Sequence, residues 1–361
     1  MSDASYKKLA RVLDTLPNGF PPTDDGIELK ILERIFTPEE AELFCQLKLN
    51  FETPDQIADR IGISLEALAP KLETMEKKGQ IFGVDMGGVK IYKMLPWVFG
   101  IYEMQMPHLD REMAEMCEAY AETFGKQFFE NKPQLMQVIP IESEIEGDHQ
   151  TLSYERVSNI IENSQSFMVM DCICKKEKAL MGEPCDRPMR VCTAYAPIPN
   201  LFDNHPYGTP MTREEAYELL KKTEEEALVH LTWNVQSGHY FICNCCGCCC
   251  GVLRGINEMG IKAGDVINSN YYAQIDPELC TACGVCADER CQVHAIEEGD
   301  EAYHVVPEKC IGCGLCVTTC PTRAISLVRK PEDQIRTPPE DEMQWYEVRA
   351  KMRGVDISSF T

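Results

Sequence analysis

The chain has 361 residues, 44 % of them apolar, which allows about two or three domains, each with its own core. Fifty-eight acidic residues against 35 basic ones give a formal charge of −23, which opposes broad binding to phosphate backbones and suits brief docking on basic patches of other proteins. Twenty cysteines, with no export-type apolar segment after Met1 and no run near the ~18 apolar residues of a membrane span, argue against a disulfide-stapled secreted protein and lead us to expect metal ligation in a cytoplasmic setting.

The opening helical segment breaks at Pro17-Asn18-Gly19 and Pro21-Pro22. Thr37-Pro38-Glu39-Glu40 is a helix start, with proline in the first turn and carboxylates at the positive end of the dipole. Thr53-Pro54-Asp55 repeats that start, and Gly62 ends the short helix. Ser64 to Lys78 predicts another helix, with Leu65, Leu68 and Leu72 on one face. Ile81 to Asp85 and Val89 to Tyr92 flank Met86-Gly87-Gly88 and predict a hairpin.

Helix, short helix, glycine turn, helix and hairpin in this order resemble a winged helix-turn-helix domain of the kind found in MarR-like regulators. The resemblance covers about a sixth of the chain. It implies either DNA reading through the Ser64 to Lys78 helix or a compact docking and dimerisation module. That helix sets Lys71, Lys77 and Lys78 against Glu66, Glu73 and Glu76, whereas recognition helices bring surplus cations to phosphates. Nucleic-acid binding is therefore not expected, and a homo-oligomer would form through this segment.

Met94 to Tyr102 is an apolar strip expected in the core. Residues 109–130 predict an amphipathic helix with Met113, Met116, Cys117, Tyr120 and Phe124 on one face. Cys45 and Cys117 fall in helical patterns and read as core thiols. Pro140 to Asp148 is an acidic connection, Tyr154 to Asn163 a helix, and Phe167 to Met170 a strand. A long helix is expected from Thr212 to about Leu231. His205, His230, His239, His294 and His304 stand apart from one another and read as structural. Pro331 to Pro339 is an extended acidic linker, followed by a short helix from Trp345 to Met352.

The remaining eighteen cysteines lie between Cys172 and Cys320. Cys280-x2-Cys283-x2-Cys286-x4-Cys291 is followed by Cys310-x2-Cys313-x2-Cys316-x3-Cys320-Pro321. Three thiolates at such spacing can wrap one face of an iron–sulfur cubane, whose fourth iron takes a distant cysteine. From Gln274 to Val328 the sequence resembles two-cluster [4Fe–4S] ferredoxins. The resemblance implies one cluster on Cys280, Cys283, Cys286 and Cys320, and a second on Cys310, Cys313, Cys316 and Cys291. Gly284, Gly312 and Gly314 suit close backbone approach to a cluster. Two departures stand out: four residues precede Cys291 instead of three, and Gln292 occupies the expected proline position.

The upstream set comprises Cys172, Cys174, Cys185, Cys192, Cys243, Cys245, Cys246, Cys248, Cys249 and Cys250. Ten clustered thiols left free in a cell would oxidise, so ligation is expected. One or two further clusters are expected here. An irregular cluster with more than four ligands, or zinc on Cys172, Cys174, Cys185 and Cys192, are the alternatives, and the ligand subset stays open. The arrangement is similar to cysteine-rich segments that precede ferredoxin modules in iron–sulfur proteins of anaerobes. Lys175, Lys176, Arg187 and Arg190 lie beside it, as surface charge, as counter-charge to clusters or as holders of an anionic partner.

These readings predict an α+β multidomain protein. A winged-helix-like domain at 1–105 precedes a middle α/β cysteine-rich cluster domain at 106–270. A ferredoxin-like two-cluster domain follows at 271–330, with an acidic linker and terminal helix at 331–361. The expected function is single-electron transfer through three or four clusters to a redox partner such as an anaerobic reductase or bifurcating complex. A redox-sensing regulator and a reductase with an open cluster iron are the alternatives.

Overall fold

The computed structural model describes residues 2–145, 153–203, 205 and 207–361, and shows a mixed α and β chain of several small sheets and helices. Two compact units are distinguished. One comprises Met1–Asn131, Lys176–Pro184 and Tyr346–Thr361; the other comprises Lys132–Lys175 and Cys185–Trp345.

In the first unit, helices Pro38–Phe44 and Pro54–Ile61 each begin with a reciprocal capping box. The Thr37 and Thr53 hydroxyls accept from the backbone of Glu40 and Gln56, whose side chains accept from the threonine amides in return. Gly62 closes the second helix in the left-handed region, at φ 73°. Helix Leu65–Lys77 buries Leu68, Leu72 and Met75, one stripe at helical spacing. Strands β1 (Ile81–Asp85) and β2 (Lys90–Met94) pair antiparallel, and the turn between them uses Gly87 and Gly88 at φ 74° and 97°. Helix Arg111–Glu130 buries Met113, Cys117, Tyr120 and Phe124, while Met94, Trp97 and Ile101 of the apolar strip are also core. Arg349, fully buried, donates to the carbonyls of Pro17, Phe128 and Asn131 and lies over the Phe128 ring at 4.4 Å.

The second unit is built on a seven-stranded sheet of β3 (Met136–Val138), β4 (Ser166–Asp171), β5 (Arg190–Ala196), β6 (Gly208–Met211), β7 (Val229–Trp233), β8 (Phe241–Cys245) and β9 (Ile267–Asn268). Their order is β6-β4-β5-β8-β7-β3-β9, antiparallel throughout except for β3 against β9. One face carries Phe167, Tyr195 and Ile242 into a core with Ile160 and Ile161, Ala216 and Leu220. The other face of β5 and β8 carries cysteines. Trp345 packs edge-on against Trp233 and donates to the Gln134 carbonyl.

The long helix expected from Thr212 to Leu231 is shorter. It runs Arg213–Glu225, ends through Ala227 at φ 56°, and gives way to β7. Val229, Leu231 and Thr232 favour an extended chain, and both neighbours of β7 supply ladder partners. The acidic connection at Pro140 to Asp148 is described only to Ile145, with a 3-10 turn at Glu142–Glu144; the rest lies outside the described residues.

Four short strands frame the C-terminal cysteine runs. They are β10 (Tyr271–Ile275), paired with β13 (Ile325–Arg329), and β11 (Ile296–Glu298), paired with β12 (Tyr303–Val305). Each cysteine run thus lies between a strand of one pair and a strand of the other, as an internal repeat requires.

Candidate metal centres

Sheet register divides the ten upstream thiols. The two-residue period of a strand sets Cys243 and Cys245 on the same face of β8. The register Thr193↔Ile242 places Cys192 of β5 next to Cys243. Cys172 follows β4, with its amide bonded to the Met189 carbonyl, and Cys174 lies two residues on. Cys250 caps helix Gly251–Asn257. Neighbouring thiols run in one series, Cys174 to Cys172 to Cys192 to Cys243 to Cys245 to Cys250. These six form one group.

Cys185, Cys246, Cys248 and Cys249 form the other, with all four Sγ atoms within 4.8 Å of one another. The alternative zinc set, Cys172, Cys174, Cys185 and Cys192, shares one packed cluster but is not drawn within 4.8 Å as a set, and Cys185 stands with the Cys246 to Cys249 loop. Between Cys192 and Cys243 the chain passes through β6, helix Arg213–Glu225 and β7 before entering β8.

Lys175 lies between the two groups. It is 1 % exposed, and its ammonium donates to the Pro188 carbonyl at 2.7 Å. The Cys172 thiol is held well below its ordinary value, first by hydrogen bonds from Cys174 and Cys192, then by the Lys175 amide and charge. The Cys246 thiol is lowered too, first by Cys249 and then, against burial, by the Lys175 charge. Lys175 is a buried counter-charge to thiolates, not surface charge. Arg187 and Arg190 instead bond outward, to the Glu226 carbonyl and to Asp171 and Thr209.

The C-terminal thiols gather in two places. Cys280, Cys283, Cys286 and Cys320 line one pocket together with Gly284 and Pro321. Cys291 neighbours Cys310, Cys313 and Cys316. Backbone amides point at the sulfurs: Ala282 at Cys280 (3.4 Å), Ala273 at Cys310 (3.4 Å), Ala295 at Cys291 (3.1 Å) and Ala324 at Cys320 (3.2 Å). Such N–H···S bonds are a main lever on cluster potential. Burial pushes the thiols of Cys286 and Cys313 up to about 11 and about 12, and that of Cys316 up as well. Cluster iron would supply the positive charge that ionises them. The donor set, its two groups of four and the amides aimed at them fit [4Fe–4S] ligation.

The glycines of the two runs also have backbone reasons of their own. Gly284, Gly312 and Gly314 all have positive φ, 80°, 64° and 83°. A Cβ on Gly312 would lie 2.2 Å from the Tyr271 carbonyl oxygen, so close backbone packing by itself demands glycine there.

The departure at Gln292 has a structural partner. Its Oε1 accepts from the Gly247 amide at 3.0 Å, and its carbonyl accepts from the Asn257 side chain at 3.0 Å. Arg290, buried two residues earlier, donates to the Leu315 carbonyl and to the Glu224 and Glu225 carbonyls at the end of helix Arg213–Glu225. The Ile141 amide donates to the Cys313 carbonyl. All three links join the sheet to the Cys291 and Cys310 side of the C-terminal segment. Their partners are distant in sequence, so only the anomalous glutamine hinted at them.

Outside the centres, His230 is buried between Asn244 and Glu224, a structural role as expected. No described helix is long and apolar enough to cross a membrane. A search of curated proteins finds no match. Residues 303–326, which hold Cys310, Cys313, Cys316 and Cys320, match the family model of the 4Fe-4S binding domain, a match that implies at least one [4Fe–4S] cluster.

Proposed function

We propose that the chain carries single electrons through an ordered series of clusters. One lies on the six-thiol group, the next on Cys310, Cys313, Cys316 and Cys291, and the last on Cys280, Cys283, Cys286 and Cys320. The carrying observation is polarity. The links from the sheet reach the Cys291 side through Gln292, Arg290 and Ile141, whereas Thr281, Ala282 and Cys283 are exposed at the far set. A path that is covalently and hydrogen-bond continuous at one end and open at the other suits a carrier.

The partner on this reading is a redox protein with a basic docking surface, such as a reductase or bifurcating complex, meeting a chain of charge −23 in the cytoplasm. The N-terminal helices and hairpin act as a winged-helix-like docking module. Lys78 and Lys90, two of its cations, are paired with Glu40 and Glu76, which favours docking over phosphate contact.

The test is iron and sulfide analysis of anaerobically purified protein with EPR of the reduced form. About twelve irons and three interacting reduced clusters are expected. About eight irons would leave the six-thiol group without a cluster and break the series.

A further inference from the structure

We infer that Cys185, Cys246, Cys248 and Cys249 form a site for a single zinc ion, distinct from every cluster site. The argument is one of size. Zinc binds thiolate sulfur at ~2.3 Å, so a tetrahedron of four has edges of ~3.8 Å. The Sγ separations are 3.8 Å for Cys185 to Cys246, 3.6 Å for Cys185 to Cys248, and 3.7 Å for Cys248 to Cys249. A cubane sets each cysteine on a different iron at a different corner, which spreads the sulfurs well beyond one ion's tetrahedron. No three of the eight ferredoxin-type thiols are drawn so close: among the described residues, the foursome at Cys185 is the only group of three or more ligating side chains within 4.8 Å.

The chemistry of the set agrees with the size. Four thiolates with no open position and no histidine or carboxylate make a closed, structural zinc site, and soft tetrahedral S4 ligation selects zinc or a mononuclear iron over harder ions. Three ligands come from one four-residue loop and the fourth from a segment some sixty residues earlier, which is a staple across the fold. Cys246 and Cys249 are buried, and Lys175 supplies cationic charge beside a site that would carry net negative charge. The loop so held includes Gly247, whose amide is the contact to Gln292. The ion would fix the approach between the six-thiol group and the Cys291 side of the ferredoxin-type segment without carrying electrons.

The experiment uses the full chain, purified without oxygen from cells grown with zinc and iron. Zinc analysis is expected to give about one ion per chain, and zinc-edge X-ray absorption four sulfur neighbours at ~2.3 Å. Cys185→Ser and Cys248→Ser should each remove the zinc and leave the iron content unchanged. Loss of about four irons in these variants, or of one iron with no zinc in the parent chain, would overturn the proposal. The absorption measurement needs no variant and so stands if either substitution prevents folding. Zinc with fewer than four sulfur neighbours would overturn it equally. The result is independent of whether the six-thiol group holds a cluster, since that is read from iron alone.

Discussion

Gly247 and Gln292 are fitted to each other at both ends of a contact. The Gly247 amide donates to the Gln292 side chain, and a Cβ on Gly247 would stand 2.0 Å from the Gln292 carbonyl oxygen. No side chain fits there without displacing backbone. The place where a ferredoxin-type run would have proline is thus occupied by a residue that bonds the cysteine loop of the sheet domain.

Gly247→Ala should therefore destabilise by overpacking, by ~1–3 kcal/mol. Gln292→Pro, which restores the residue type expected after Cys291, should cost ~1–3 kcal/mol because it strands the buried Gly247 amide. Neither change touches a sulfur ligand. The check is the urea midpoint alongside iron content: a lower midpoint with unchanged iron is expected, and an unchanged midpoint in both variants would remove the contact's importance.

Arg290 satisfies carbonyls at the end of a helix whose dipole is negative there, and it neighbours Cys313 and Cys316. Arg290→Met keeps much of the volume but leaves those carbonyls without a donor, and ~2–4 kcal/mol of stability should be lost. Removing a cation near the Cys310-side cluster should also make that cluster harder to reduce, with the other cluster less affected. An EPR-monitored redox titration reads both; equal shifts in the two clusters would show that the charge acts diffusely.

Local spacing made much of this protein legible, and long-range register hid the rest. The starts at Thr37 and Thr53, the stop at Gly62 and the hairpin around Gly87 are encoded within a few residues, and the structure places them where the pattern does. The C-x2-C-x2-C runs are equally local. The partition of the ten upstream thiols is not, because it depends on Cys192 lying across from Cys243, a consequence of pairing between strands nearly fifty residues apart. Val229 to Trp233 follows a helix without a proline or glycine break, so its switch to strand is set by its neighbours in the sheet. Lys175 looks like any surface lysine until the chain around it folds.

The proposed crossing of the two ligand sets predicts an asymmetric result from single cysteine replacements. Cys320→Ala should abolish the cluster of the Cys280 run, with which Cys320 shares a pocket, and spare that of its own run. Cys291→Ala should do the reverse. Each variant should lose about four irons and one reduced EPR component. Loss of the same component in both would refute the crossing.

His239 predicts a pH dependence that does not involve sulfur. Burial of its ring lowers its pKa from 6.5 to about 4, and its Nε2 is sealed from solvent without a partner. The folded state thus binds a proton less readily than the unfolded one. The stability contributed by the neutral ring is fully present above ~6.5 and is lost as pH falls from there towards 4, by at most ~3–4 kcal/mol. His239→Gln keeps a polar group near Thr232 and removes the titration. The urea midpoint of the parent chain should therefore fall relative to the variant between pH 7 and pH 5. Comparing the two proteins at each pH cancels any acid lability of the clusters, which both share. Parallel curves across that interval would mean that the ring opens to water and is not buried in solution.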